Sequence, residues 1–181
     1  MNETRTLWTE TAEVPERTAL TQETSADVCI VGAGIAGMTA AYTLMRAGKS
    51  VVVLDTGRIA EGMTRATTAH LSCVIDDRFF QIEKFHGLEG LRLAVESHAA
   101  AIDFIEAIVH RENIDCDFVR VDGYLFRGPE QEEDLVYREL DSAYRAGLLN
   151  TESLPRAPWE NFDTGVCLRF PQQGQFHPLK Y

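Results

Sequence analysis

The feature that most constrains this chain is the run Val31-Gly32-Ala33-Gly34-Ile35-Ala36-Gly37, set between two apolar segments. Before it, residues 26–31 (Ala-Asp-Val-Cys-Ile-Val) are β-branched and apolar enough to predict a buried strand. After it, residues 35–47 are small or apolar and predict a helix, with Gly48 as its stop. Residues 50–54 (Ser-Val-Val-Val-Leu) predict a second buried strand, closed by Asp55. Strand, helix and strand within about thirty residues form a βαβ unit, which requires a parallel sheet.

The spacing of the three glycines gives each a physical task. Gly32 allows the sharp turn out of the strand, Gly34 lets a pyrophosphate approach bare backbone, and Gly37 lets the helix pack against the strand. The helix start then offers N–H groups and the positive end of its dipole, with the amides of Ile35 and Ala36 best placed for phosphate. Asp55 lies eighteen residues past Gly37, near the spacing of about twenty for an acid that accepts hydrogen bonds from adenosine ribose hydroxyls. A carboxylate there also repels a 2′-phosphate, which disfavours NADP. The expected function is binding of the ADP half of a dinucleotide; a glycine turn that binds nothing is the competing reading.

Net charge restricts the partners. With 17 basic and 28 acidic residues the chain carries −11, which opposes nucleic acid or an anionic membrane surface. It has no apolar run of bilayer-spanning length and no signal-peptide pattern at Met1, so a cytoplasmic location is the default expectation. The four cysteines, Cys29, Cys73, Cys116 and Cys167, are scattered without metal or iron–sulfur spacing, so reduced thiols and no metal site are expected.

Further along, an amphipathic helix is predicted over residues 91–112, with Val95, His98, Ile102, Ile105 and Val109 on one face and His98 as a packed, hydrogen-bonded residue. Asp122-Gly123 between residues 116–121 and 124–126 predicts a hairpin turn. Residues 130–146 predict a second amphipathic helix, with Val136, Leu140 and Tyr144 on one side. Residues 154–164 predict a loop and 166–170 a short strand. The first 25 residues are polar, with Pro15, and predict an extended arm whose Trp8 packs on the body.

The glycine loop alone does not choose between FAD and NAD. Residues 62–70 (Gly-Met-Thr-Arg-Ala-Thr-Thr-Ala-His) are hydroxyl-rich with one cation. Such a stretch suits a long extended cofactor, with Arg65 or threonine hydroxyls meeting the pyrophosphate. A surface loop with a helix cap at Thr67 or Thr68 is the alternative. An NAD domain usually passes directly from its second strand into another helix. The candidate cofactor residues are therefore Gly32, Ala33, Gly34, Ile35, Ala36, Gly37, Asp55, Thr56, Thr64, Arg65, Thr67, Thr68 and His70.

Here the chain resembles the FAD-dependent oxidoreductases of the D-amino-acid oxidase (DAO) type, which include glycine and sarcosine oxidases. The resemblance runs from Asp27 through Asp55 and on through Gly62 to His70. It continues more loosely through Ser97-His98-Ala99-Ala100, Val121-Asp122-Gly123-Tyr124-Leu125 and Gln175-Phe176-His177-Pro178. Within that family it is similar to a bacterial branch whose longer members carry a C-terminal Rieske domain, whose ligands are absent here. Many members read Ser-Gly-Arg where this chain has Met63-Thr64-Arg65. Some attach the flavin covalently through His or Cys; His70 and Cys73 lie in that region, but His70 is four residues beyond the matching position, so a non-covalent flavin is expected.

The resemblance implies an α/β fold: a Rossmann-like, DAO-type FAD-binding βαβ unit with part of an α+β substrate domain, incomplete. The expected organisation is an arm over 1–25, the FAD-binding unit and flavin loop over 26–76, a partial substrate or cap region over 77–176, and the start of a return to the FAD domain over 177–181. It implies FAD as cofactor, a small-molecule amine or amino acid as substrate, and hydride transfer from a C–N bond. No catalytic residue is assigned. Since the family's second half is not in these residues, an inactive truncated product, or a subunit needing a complementary polypeptide, is a second expectation, and an NAD-binding dehydrogenase module a third. The isolated chain is expected to bind FAD weakly and to lack turnover.

Overall fold

The computed structural model describes residues 5–181, so the first four residues of the predicted arm lie outside the described residues. The described chain forms two compact units. One comprises the residues up to Ala69 together with His177–Tyr181, and the other comprises His70–Phe176.

The first unit is built on the βαβ element. Strands β1 (Val28–Val31) and β2 (Val51–Leu54) pair in parallel, with Val28 opposite Val51 and Val31 opposite Leu54. Helix α2 (Ile35–Arg46) joins them, and Gly48 follows at φ +81°, a left-handed conformation glycine adopts without a Cβ clash. The expectation of two fully buried strands is corrected. Val28 and Ile30 are half-buried, but Cys29 and Val31 are exposed, Val31 at 86%. A helix on one face of a two-stranded sheet covers only alternate side chains. The arm is also less extended than its composition suggests: Leu7–Thr11 form a short helix, α1, opened by a reciprocal cap between Thr6 and Thr9.

The second unit is an antiparallel sheet in the order β3-β6-β4, with β5 also on β6. Its strands are β3 (His70–Leu71), β4 (Val119–Phe126), β5 (Glu152–Leu154) and β6 (Cys167–Gln175). Helices α3 (Phe79–Glu112) and α4 (Leu135–Arg145) pack on it. Leu91 and Val95 of α3, Leu135 and Val136 of α4, and Leu168 and Phe170 of β6 form its core. Full burial of a leucine such as Leu91 or Leu168 stabilises the fold by roughly 1.5–3 kcal/mol.

Several local expectations change here. Asp122-Gly123 is not a hairpin turn: both residues continue β4, with Gly123 opposite Phe170 and Val121 opposite Gln173. One residue of β4 therefore faces Pro171 and Gln172, a bulge on β6 with Gln172 at φ +62°. A Cβ on Gly123 would lie 3.2 Å from Gln173 Cγ, so that glycine serves close strand approach. β6 consequently runs well past the expected 166–170.

Helix α3 starts at Phe79, earlier than predicted, and is interrupted at Gly87 (φ +71°), so it is two helical segments meeting at a kink. Its buried residues beyond the kink include Leu91, Val95, Ile102 and Val109; His98 shares their direction about the helix but is exposed, not packed. Helix α4 begins at Leu135, later than the predicted residue 130. Tyr144 is partly exposed, its hydroxyl donating to the Thr151 carbonyl at 3.0 Å. No helix among the described residues is long and apolar enough to cross a membrane.

Candidate functional site: the glycine loop and its acid

The loop between β1 and α2 has the geometry its glycines predict. Gly32 sits at φ +105°, where L side chains are strained, and its N–H donates to the Leu54 carbonyl at 2.7 Å, tying the turn to β2. A Cβ on Gly37 would stand 1.9 Å from the Gly32 carbonyl oxygen and 3.3 Å from Ile30 Cγ2. Nothing larger than glycine fits while α2 lies this close to the strand. Gly34 is the N-cap of α2 in extended conformation and carries no capping side chain, so the first-turn amides keep no capping side-chain acceptor from that position.

Asp55 closes the loop from the other side. Its Oδ2 accepts from the Ala33 amide at 2.6 Å, and its Oδ1 accepts from the Gly57 amide at 2.9 Å. The Ala33 amide first, and that of Gly57 next, hold the carboxyl below the usual carboxylate range. It is therefore a carboxylate at neutral pH. An ionised carboxylate accepts more than one hydrogen bond per oxygen, which is the chemistry a ribose hydroxyl requires.

The segment after Asp55 returns to the loop. The residues 63–66 form a 3-10 turn that buries Thr64. Thr64 Oγ1 accepts from the Ile35 amide at 3.0 Å and would lie 3.3 Å from a Cβ on Gly34. The Ile35 amide, expected to face phosphate, is thus directed at a hydroxyl of this chain. Arg65 is half-buried and lies 3.8 Å from Glu61. Thr56 is exposed beside Asp55. Thr67 caps the amide of Ala69 at 3.2 Å through its hydroxyl, and its carbonyl accepts from the Trp8 indole N–H at 2.8 Å. Thr68 is exposed.

The structure therefore joins Gly32–Gly37, Asp55 and Thr64 by direct contacts and sets Arg65 in the same turn as Thr64. His70 opens β3 in the second unit, opposite Gln175. Cys73 is buried there; burial pushes its thiol pKa up, and its amide donates to Gln173 Oε1 at 2.7 Å.

Trp8 packs on the body as expected; what sequence reasoning missed in the first unit is its partner and a bond across the loop. Trp8 stacks edge-on against His177 with centroids 4.9 Å apart, and the Thr11 hydroxyl lies 2.9 Å from His177 Nε2. Only the isolated Trp8 in a polar stretch hinted at the first. The Thr64–Ile35 bond spans 29 residues, and no local pattern reports it. Among the described residues no group of three or more His, Cys, Asp or Glu is placed to hold a metal ion.

A glycine-cradled helix start, with an acid at the end of the second parallel strand, defines the dinucleotide-binding class of α/β proteins. The family model of the FAD dependent oxidoreductases (DAO) matches residues 27–181. The chain belongs to that family. It is 31% identical over 176 residues to YhfW of Bacillus subtilis (strain 168), which carries the name of a Rieske 2Fe-2S iron-sulfur protein; the match covers 97% of this chain and 34% of YhfW. It is 27% identical over 165 residues to the gamma-glutamylputrescine oxidoreductase of Escherichia coli (strain K12), covering 88% of this chain and 38% of that protein.

Among solved structures, the L-amino acid deaminase from Proteus myxofaciens superposes with a TM-score of 0.70 at 16% identity, over 94% of this chain and 37% of that one. Glycine oxidase from Geobacillus kaustophilus gives 0.67 at 20% identity, over 86% and 41%. These two show the shared fold. The chain spans between about a third and two fifths of the length of these two curated relatives.

Proposed function

We propose that this chain supplies the FAD-holding part of an oxidoreductase that oxidises the C–N bond of a small amine or amino acid. The observation that carries the reading is the loop in which Ala33, Gly34 and Gly37 are fixed by Asp55 and by close packing. Bound there, FAD would supply the hydride acceptor. Gly34 and the Ala36 amide would meet the pyrophosphate, with Gly32 making the turn and Gly37 the helix packing that bring them there, and Asp55 with Thr56 would meet the adenosine ribose. Ile35 would fix the loop through Thr64, while Arg65, Thr67 and Thr68 would line the cofactor's path. His70 is a cofactor candidate by the family resemblance alone.

The substrate class is supported by the relatives' names, gamma-glutamylputrescine oxidoreductase and glycine oxidase among them. The reading includes further polypeptide, in the same chain or a separate one, to complete the substrate site, since the relatives are more than twice as long as the matched part. Exposed Cys29 and Val31 on the open face of β1 support it. Four unpaired cysteines, three of them buried, support a reducing, cytoplasmic setting.

The test is anaerobic addition of a panel of amines and amino acids to the flavin-loaded protein with its completing polypeptide. Loss of the yellow absorbance with one class of substrate supports the proposal. A loaded protein that no amine or amino acid bleaches, yet other donors do, sinks the substrate assignment.

A further inference from the structure

The arm before β1 makes little contribution to a core, yet it is firmly held at one end. The Trp8 indole N–H is bonded to the Thr67 carbonyl, its ring packs on buried His177, and Thr11 reaches the same imidazole. Beyond this pivot, residues 12–22 take no helix or strand and pass in front of the segment that follows β2. There the Glu16 carboxylate lies 3.1 Å from the Arg58 guanidinium.

Between arm and body is a groove of about 1020 Å³. Ala33, Asp55 and Gly57 lie on its inner wall, and Val14, Arg17 and Leu20 on its outer wall. Ligand sites span roughly 300–1,000 Å³, so a groove at the top of that range is too large for a packing defect and has room for a nucleotide. Its inner wall is the acid end of the glycine loop. Its outer wall offers two aliphatic side chains suited to the face of a purine, and a cation.

We infer that the N-terminal arm is the outer wall of the adenosine site: residues 14–20 cover the bound adenosine, and the Trp8 pivot holds them there. The inference rests on the proposal that the glycine loop binds FAD. It adds that the arm governs how fast the cofactor leaves, because a wall contacting only the bound form acts mainly on dissociation. The exposed Glu16–Arg58 pair marks where the arm meets the body and is by itself a weak fastening.

The test uses the full chain saturated with FAD. Dissociation is followed by the rise of flavin fluorescence on dilution, for the unaltered protein, for Trp8→Ala, and for a triple substitution of Val14, Pro15 and Leu20 by glycine. Both variants are expected to release FAD about tenfold faster. In parallel, trypsin cleavage after Arg17 in the unaltered protein is expected to slow when FAD is bound. Release within about twofold of the unaltered rate in the triple variant, or Arg17 cleavage that FAD leaves unchanged, overturns the role of the arm. An unaltered protein that holds FAD while both readouts stay still removes this inference alone. One that binds no FAD removes the cofactor proposal with it.

Discussion

The Asp55 carboxylate is hydrogen-bonded to the Ala33 amide at 2.6 Å, which ties the end of β2 to the glycine loop before any ligand arrives. In the proposed FAD site the acid would have two tasks: holding the loop's shape through Ala33 and accepting from a ribose hydroxyl. Asp55→Ala is expected to weaken FAD binding by about tenfold or more, as charge-assisted hydrogen bonds are lost. Asp55→Asn keeps an acceptor for Ala33 and is expected to lose less. The carboxyl's pKa lies below its ordinary value near 3.8, so its contribution is fully present above that value and disappears only as pH falls through the lower folded-state value. FAD retention against pH should thus show no Asp55-dependent loss above about pH 5. Titration by flavin fluorescence checks both.

Gly34 and Gly37 separate binding from folding. Gly37→Ala places a Cβ against the Gly32 carbonyl, and overpacking of this kind is expected to cost about 1–3 kcal/mol of stability. Gly34→Ala meets only the Thr64 hydroxyl at 3.3 Å. It is expected to melt near the unaltered protein while losing about tenfold in FAD affinity, equivalent to roughly 1.4 kcal/mol. Melting curves and FAD titrations on the two variants give the comparison. Equal loss of stability in both would show that the two glycines do not divide the work.

Glu139 is fully buried in the second unit, where its Oε1 accepts from the Phe79 amide at the start of α3 at 3.1 Å. Burial first of all pushes its pKa above the ordinary value near 4.5, against the pull of that amide. A raised carboxyl favours the folded state below the ordinary value, and that advantage is lost as pH rises through the folded value. Glu139→Gln should therefore gain on the unaltered protein as pH rises above about 4.5, with the gap between melting temperatures closing at lower pH. Glu139→Ala leaves the Phe79 amide unpaired and a hole, and is expected to cost about 2–4 kcal/mol.

Thiol labelling reports on the open face of β1. Cys29 is exposed, whereas Cys73, Cys116 and Cys167 are buried. One of the four thiols should react quickly with an aromatic disulfide reagent, and Cys29→Ser should abolish that phase. If further polypeptide covers this face, the fast phase should also vanish in the completed protein.

The first unit was legible because its constraints are local. Gly32, Gly34 and Gly37 specify a turn, an approach and a packing distance within six residues, and the β-branched runs on either side specify the strands. The second unit was legible only in part. Asp122-Gly123 has the composition of a turn, but its conformation is set by β6, more than forty residues away, which draws Gly123 close to Gln173. The early start of α3 depends on Glu139, sixty residues distant in sequence. Thr64 matters because its hydroxyl meets Ile35, a contact that no residue type or spacing signals. His98 lies on the apolar stripe yet is exposed, because periodicity gives a side chain's direction about the helix, whereas what covers it at that height is set by elements distant in sequence.

The central claim, that the glycine loop with Asp55 is an FAD site, is tested most directly by titrating the unaltered chain with FAD and separately with NADH, following flavin and nicotinamide fluorescence. Saturable FAD binding that ADP competes away and that Gly34→Ala weakens is expected, with little binding of NADH. Tight NADH binding, with no saturable binding of FAD, would contradict it.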